Sequence, residues 1–237
     1  MANKNVIATG AIALYIVSLI AVTDLLVSKS ILSPFTSRKI IHLGAASWLL
    51  FWPLYEYPDN DDNDSLLTWR LNAVIPALKG IELFVKGAII RDRNDKDVKT
   101  MSRSGNPEEL LFGPFQFTII MVIVGYYLFQ QPVSCLIMGA VGVGDGIAPL
   151  VGKRYGKTKL YGEKTLEGSL GTFVGTIIGY YAYSMALSSP TILSFPLLSL
   201  CAFIASIVEL YSPPQIENLM IPLSMYYVHQ TIIQQSS

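Results

Sequence analysis

Residues 132–151 read PVSCLIMGAVGVGDGIAPLV, an apolar run of 20 residues with one charged side chain, Asp145. A run of about 20 mostly apolar residues is long enough for an α-helix to cross the hydrocarbon core of a bilayer. A carboxylate at that depth is unfavourable and normally faces a partner or a water-filled cavity. This stretch therefore predicts a membrane-spanning helix in which Asp145 is a site residue rather than half of a structural ion pair.

The composition of the whole chain also indicates a membrane protein. Hydrophobic residues make up 51% of the 237 residues and charged residues 14%, whereas soluble domains contain about 25% charged residues. The 17 basic and 17 acidic residues cancel, so no net field favours nucleic acid as a partner. Cys135 and Cys201 lie in apolar runs without metal-ligand spacing, and we expect buried, unreactive thiols.

Seven other apolar segments predict further spans. They cover residues 6–27, 40–55, 66–90, 113–130, 169–187, 192–211 and, more weakly, 218–233. We expect residues 6–27 to be a retained helix and not a secretory signal. The sequence thus predicts an all-α, polytopic helical bundle of seven to eight transmembrane helices, in which residues 1–237 form a single integral-membrane domain.

The third of these segments is interrupted by charges. Lys79, Glu82 and Lys86 are spaced to lie along one helix face. A Glu82–Lys86 pair, with Lys86 reaching to the interface, accounts for most of this pattern without a catalytic role.

Basic residues alternate between the predicted loops. In chain order, the six loops that follow the first span hold 3, 0, 5, 0, 5 and 0 Lys or Arg residues, and the second of them, residues 56–65, holds five acids. Because Lys and Arg collect in cytoplasmic loops, we expect the N-terminus outside and the three basic loops on the cytosolic face.

Small residues recur around Asp145 and in the next span. Gly142 and Gly146 are four residues apart, and Gly171, Gly175 and Gly179 repeat that spacing. Such faces let two helices approach closely, so we expect these two spans to pack tightly and to hold the ends of the intervening loop together.

That loop combines cations with glycines. Residues 153–169 read KRYGKTKLYGEKTLEGS, with five cations among the first 12. Freed backbone N–H groups and a helix start after Lys164 favour a phosphate site. The spacing is one residue short of a Walker A loop and no strand precedes it, so a P-loop is not expected. The alternative is a loop that serves topology or anionic lipid headgroups.

Several blocks of this chain resemble the signature of the polyprenol kinase family, which includes phytol, farnesol and dolichol kinases. The central blocks are residues 144–148, 152–156 and 164–169. Three further stretches match the phytol and farnesol kinase branch: residues 38–42, residues 102–114, and Glu209 with Glu217, Asn218 and Pro222. The resemblance extends over residues 37–222. Pro149 departs from it, since the branch often has Asp there, and so does Glu217, where an Asp usually precedes the Asn.

The resemblance implies transfer of a phosphoryl group, usually from CTP, to the hydroxyl of a membrane-dissolved isoprenoid alcohol. It also implies Mg²⁺ as cofactor. Asp145 would bind the ion, with Glu167 or Asn218 as further ligands, and Asp145 and Glu167 would also be catalytic. His42 would be a general base or a hydrogen-bonding orienter. The nucleotide phosphates would bind Lys153, Arg154, Lys157, Lys164, Thr165, Gly168 and Ser169.

Other polar residues are expected to line the mouth of the same site. They are Arg38, Lys39, Arg103, Ser104, Glu109 and Glu209. Three alternatives stay open at this point: Arg38 and Lys39 as topology anchors, Ser104 as a loop N-cap, and Glu209 as an acid anchored at the interface.

Rival functions also remain. A phosphatidate cytidylyltransferase-like enzyme would use the same nucleotide, a CTP-dependent diacylglycerol kinase would use another alcohol, and a transporter would line a path with Asp145. The residues do not select the lipid alcohol, the nucleotide base or the oligomeric state. The expected location is the endoplasmic reticulum or chloroplast membrane in a eukaryote, and the plasma membrane in a prokaryote.

Overall fold

The computed structural model describes residues 3–56, 68–189 and 192–233, with only the backbone of residue 233. Most of the acidic loop predicted at residues 56–65 lies outside the described residues, as do residues 66 and 67 of the predicted third span. The described chain is nearly all α-helical, as expected. It divides into two compact units, residues 1–129 and residues 130–237.

The described residues of the first unit form five α-helices. They are α1 (Lys4–Ser28), α2 (Pro34–Ala46), α3 (Val74–Phe84), α4 (Lys96–Met101) and α5 (Gln116–Tyr127). Short 3₁₀ segments cover Ser47–Leu54, Trp69–Ala73 and Pro107–Leu110, and π-helical turns cover Val85–Ile90 and Leu111–Phe115. Side-chain caps set two of the starts: Ser33 accepts from the Thr36 amide at α2, and Asp95 accepts from the Asp97 amide at α4.

Aromatic residues form much of the core of the first unit. Trp48 and Trp52 are fully buried, and the Trp69 ring stacks on Phe129 with 4.8 Å between centroids. Asn72 joins this core to α5, because its side-chain amide donates to the carbonyl of Gly125 at 2.9 Å. A buried amide needs such partners, since an unsatisfied one is destabilising.

The second unit is built around two long helical runs. The first run continues from α6 (Pro132–Met138) through a π-helical segment (Gly139–Gly144) into α7 (Asp145–Tyr155). The second is α8 (Leu166–Ala186), followed by α9 (Phe195–Tyr211), α10 (Glu217–Val228) and a π-helical end at His229–Ile233. Cys135 and Cys201 are buried, free thiols, as expected.

A small hairpin departs from the all-α prediction. Strands β1 (Lys159–Tyr161) and β2 (Lys164–Thr165) pair antiparallel within the basic loop. Gly162 lies between them with φ of +56°, a conformation that glycine adopts without steric cost. The hairpin therefore sets where Lys164 and Thr165 enter α8.

Glycines bring the two long runs of the second unit into backbone contact. A Cβ added at Gly179 would lie 2.9 Å from the Cα of Gly139, and one at Gly175 would lie 3.0 Å from the Cα of Gly144. The tight packing is thus confirmed, and Gly139 and Gly144 make these contacts on the first run. Because the intervening turn is π-helical, residues five apart share a face there.

Three helices among the described residues are long and apolar enough to cross a membrane. They are Lys4–Ser28, Pro107–Tyr127 and Pro132–Tyr155, and Phe195–Tyr211 is a shorter apolar helix. The first three correspond to the spans predicted at residues 6–27, 113–130 and 132–151. The full count of seven to eight spans and the outside N-terminus stay predictions.

Candidate active site

Three buried carboxylates converge in the second unit. Asp145, Glu209 and Glu217 each offer a carboxylate oxygen, and these three atoms lie within 4.8 Å of one another. The residues are 1%, 5% and 6% exposed. They come from the start of α7, the last turn of α9 and the start of α10, so three helix ends meet at one place. We call Asp145, Glu209 and Glu217 the acid cluster.

Lys164 of the hairpin reaches this acid cluster. Its Nζ lies 3.0 Å from Oε1 of Glu209 and 3.6 Å from Oε2 of Glu217. It also donates to the backbone carbonyls of Glu209 and Ser212. The lysine expected at the phosphates therefore also neutralises and orients two of the buried acids.

Thr165 determines how the chain enters α8. Its hydroxyl accepts from the amide of Gly168 at 3.1 Å, which is an N-cap contact. Gly152 and Gly156 make room for it, because a Cβ at either position would come within about 3 Å of Thr165 Oγ1. The glycine-rich spacing of the loop thus serves the packing of the α7 end against the α8 start.

The other expected phosphate-binding residues lie around this helix start. Lys153, Arg154 and Lys157 are exposed at and beyond the end of α7, and the Arg154 guanidinium lies 5.5 Å from the centroid of the Tyr155 ring. Ser169 follows in the first turn of α8, and its Oγ is buried without a hydrogen-bond partner among the described residues. Exposed cations beside a helix N-terminus can attract a polyphosphate.

Glu167 lies in the first turn of α8 and is not one of the three converging acids. Its Oε2 accepts from the amide of Thr158 at 3.4 Å. Hydrogen bonds from its own amide and from that of Lys157 hold the pKa of this carboxyl below its ordinary value. Glu217 is the third acid beside Asp145 and Glu209, and Asn218 follows it, 4% exposed, in the first turn of α10. The Glu217–Asn218 block of the resemblance was the signal for this acid.

A separate group of expected mouth residues comes together in the first unit. Glu109 accepts from the amides of Arg103 and Ser104 and from the Ser104 hydroxyl, the last at 2.6 Å. Asn106, and not Ser104, caps the 3₁₀ segment that follows. The loop of residues 103–109 is therefore ordered around one carboxylate.

Arg38, Lys39 and His42 lie on α2 of the same unit. The Arg38 guanidinium lies against Gly113, where a Cβ would collide with it. Lys39 is only 5% exposed, which is unusual for a lysine that merely marks topology. The His42 ring packs on Phe117, with 4.1 Å between ring centroids.

Comparison with known proteins identifies relatives over most of the chain. The chain is 31% identical to probable phytol kinase 2, chloroplastic, of Oryza sativa subsp. japonica over 204 residues, which cover 81% of this chain and 64% of the relative. It is 26% identical to probable phytol kinase 1, chloroplastic, of Glycine max, covering 87% and 70%. It is 29% identical to farnesol kinase, chloroplastic, of Arabidopsis thaliana, covering 62% and 46%.

The chain is similar to phytol and farnesol kinases over most of its length. This confirms the resemblance and classes the chain among enzymes that transfer a phosphoryl group to an alcohol. No family model and no solved structure matches the chain.

Kinases of this kind imply a divalent cation, and the acid cluster fits one. Its three carboxylate oxygens lie within 4.8 Å of one another, close enough to share one ion. Carboxylate and amide oxygens are also the ligands that Mg²⁺ prefers. Asp145, Glu209, Glu217 and Asn218 are the residues that would hold it.

Proposed function

We propose that the chain transfers the γ-phosphoryl group of CTP to the hydroxyl of an isoprenoid alcohol, such as phytol, farnesol or a related polyprenol. The observation that carries this proposal is the acid cluster with Lys164, in a chain whose relatives are named phytol kinase and farnesol kinase. The acceptor's tail is apolar and belongs in the bilayer, whereas the nucleotide comes from water.

The buried acids and Lys164 have different electrostatic roles. Phosphoryl transfer depends mainly on positioning and on neutralising charge. Mg²⁺ bound at the acid cluster would neutralise the charge of the triphosphate. Lys164 holds Glu209 and Glu217 in fixed orientations, so these carboxylates do not rearrange when the nucleotide arrives.

The end of α7 and the start of α8 bind the triphosphate. Lys153, Arg154 and Lys157 attract it from solvent, and the hydroxyls and amides of Thr165, Gly168 and Ser169 lie at the positive end of α8. In the reaction, the alcohol oxygen forms a bond to the γ-phosphorus while the bond to the β,γ-bridging oxygen breaks, and CDP leaves. The hydroxyl proton passes to a general base, for which the family resemblance proposes His42.

This chemistry requires a membrane setting with a defined orientation. We infer seven to eight spans with the N-terminus outside, because the basic loops alternate along the chain. That orientation gives the loop of residues 153–164 access to cytosolic CTP. Of the two organelle membranes expected for a eukaryotic protein, the chloroplastic names of the relatives favour the chloroplast.

A labelling experiment tests the proposal. Purified protein in nanodiscs is given Mg²⁺, each of several lipid alcohols, and CTP labelled at either the α- or the γ-phosphorus. We expect γ label, and not α label, in an isoprenoid phosphate. Label from α-CTP would indicate a cytidylyltransferase instead, and phosphorylation of diacylglycerol alone would contradict the isoprenoid acceptor.

The acid cluster is tested with matched variants. Asp145→Asn should lower phosphorylation by more than about 100-fold, since even an outer partner of a metal ligand is worth about 10–100-fold. Glu163→Gln, whose side chain is 91% exposed in the neighbouring hairpin turn, should leave the rate unchanged. An active Asp145→Asn enzyme would remove the acid cluster from the mechanism.

A further inference from the structure

The first unit contains a groove of about 450 Å³ between α1 and α3, with α4 at one end. Its walls are mainly apolar, and the side chains that line this part are Ala13, Ile16, Ile20, Ile75 and Leu78. The volume falls within the range of about 300–1,000 Å³ that is typical of small-molecule sites. The groove can therefore hold an apolar chain of limited size.

One end of the groove is polar and its charges are largely matched. Lys79 and Lys86 both contact Oδ2 of Asp97, at 2.9 and 2.7 Å, and Lys86 also contacts Glu82 at 2.8 Å, which confirms the expected Glu82–Lys86 pair. The Asp97 side chain is only 5% exposed. With Asp24 and Lys96, this end is lined by three acids and three lysines, so it has no excess positive charge for an anionic headgroup.

Asp24 offers this end of the groove a hydrogen-bond acceptor. Asp24 is half-buried and lines the groove. An ionised carboxylate accepts hydrogen bonds and cannot donate them. A ligand with a hydroxyl group would supply a donor to Asp24, whereas a carboxylate or phosphate diester would not.

The dimensions of the groove limit the length of the chain. Ala13 and Asp24 are 11 positions apart on α1, which at ~1.5 Å per residue corresponds to roughly 16 Å. An extended chain advances roughly 1.2 Å per bond, as polypeptide backbone does, so this length holds about 13 chain atoms. The main chain of farnesol is close to that length, and the main chain of phytol exceeds it.

We propose that this groove binds the isoprenoid alcohol before phosphoryl transfer, with the chain along α1 and α3 and the hydroxyl donating to Asp24. This inference rests on the proposed function and extends it, because it names a binding site and a preferred chain length for the acceptor. In the proposed orientation, Asp24 and α4 lie toward the cytosolic interface and Ala13 toward the middle of the bilayer. The hydroxyl group of the alcohol would then lie at the polar interface of the membrane, and its apolar tail would lie in the hydrocarbon core.

Photolabelling of the full-length protein in nanodiscs tests the site. A farnesol analogue with a diazirine on its tail should label α1 and α3, and excess farnesol should suppress that labelling. Ala13→Trp fills the groove and should reduce labelling severalfold. Leu14→Trp, which adds the same ring at a neighbouring, 70% exposed position outside the groove lining, should not. Labels on residues 130–237, equal effects of the two variants, or labelling that farnesol does not suppress would overturn the inference.

The role of Asp24 is tested by comparing farnesol with its methyl ether, which cannot donate a hydrogen bond. The wild-type protein should bind the alcohol roughly tenfold tighter, the ratio expected for one hydrogen bond to a charged acceptor. In Asp24→Leu the two ligands should bind equally, and a tenfold ratio retained there would contradict the role of Asp24. Because each ratio is measured within one variant, general loss of folded protein does not affect it.

Failure of the binding site and failure of the proposed function give different results. Asp145→Asn should keep farnesol labelling of α1 and α3 while losing phosphorylation. If wild-type protein is labelled in the groove but phosphorylates no alcohol, the proposed function fails and the binding site stands. If it phosphorylates farnesol but is labelled elsewhere, the function stands and the groove does not.

Discussion

Lys164 and Glu209 form a largely buried ion pair, with 3.0 Å between Nζ and Oε1. The pair joins the β-hairpin after α7 to the last turn of α9. Lys164 Nζ also lies 3.6 Å from Oε2 of Glu217 at the start of α10. Asp145 adds a third carboxylate at the start of α7. One side chain from the hairpin thus contacts two of the three converging acids.

Removal of Lys164 should destabilise the protein strongly. Breaking a buried ion pair leaves uncompensated charge and is unfavourable by about 3–5 kcal/mol, so Lys164→Met should lower the unfolding temperature clearly. Lys159→Met is the control, because its pair with Glu163 is exposed and such pairs contribute about 0–1 kcal/mol. Thermal unfolding in detergent compares the two, and equal stability would show that Lys164 does not balance the acids.

Mg²⁺ should stabilise the folded protein through the acid cluster. A ligand that binds only the folded state adds about 2.7 kcal/mol at 100 times its dissociation constant. The unfolding temperature of wild-type protein should therefore rise with Mg²⁺ concentration, without nucleotide present. Asp145→Asn should lose most of this shift and Glu163→Gln should keep it. A shift of the same size in Asp145→Asn would place the cation elsewhere.

The helical character and the central acid were predictable from composition and apolar runs. Residues 6–27 and 132–151 correspond to the long helices Lys4–Ser28 and Pro132–Tyr155, and Asp145 stood out because charge is rare in such runs. Asp24 meets the same criterion near the end of the first span, and that criterion could have identified it.

Other features depend on contacts that no local pattern shows. The π-helical turn of residues 139–144 could not be predicted from the sequence pattern. Nearly every position in this run is apolar or glycine, so its 3.6-residue periodicity is weak. The acid cluster joins Asp145 to Glu209 and Glu217, which are separated from it by more than 60 residues. Their proximity follows from the packing of α8, α9 and α10. Only the family blocks associated these residues beforehand.

Asp97 should make the first unit sensitive to acid. Burial raises the pKa of this carboxyl, but the charges and hydrogen bonds of Lys79 and Lys86 outweigh it and lower the pKa below the usual value of about 3.9. The resulting stabilisation is full above that usual value and is lost as the pH falls through the lower, folded-state pKa. Unfolding temperatures measured from about pH 6 down to about pH 2 should fall less steeply in Asp97→Asn than in wild type. The exposed, uncharged neighbour Asn94 provides the control, and Asn94→Ala should follow the wild-type curve.

Backbone contact at Gly139 should be essential for holding Asp145 in place. A Cβ there would lie 2.8 Å from the amide nitrogen of Tyr180 and 3.1 Å from the carbonyl oxygen of Thr176, so Gly139→Ala must push α6 away from α8. Overpacking of this kind is unfavourable by about 1–3 kcal/mol, and we expect lower stability together with a reduced phosphorylation rate. Gly10→Ala has nothing within 4 Å of its new Cβ and should be neutral or stabilising by up to about 1 kcal/mol. If Gly139→Ala unfolds at the wild-type temperature with full activity, the close packing of these helices does not position the acid.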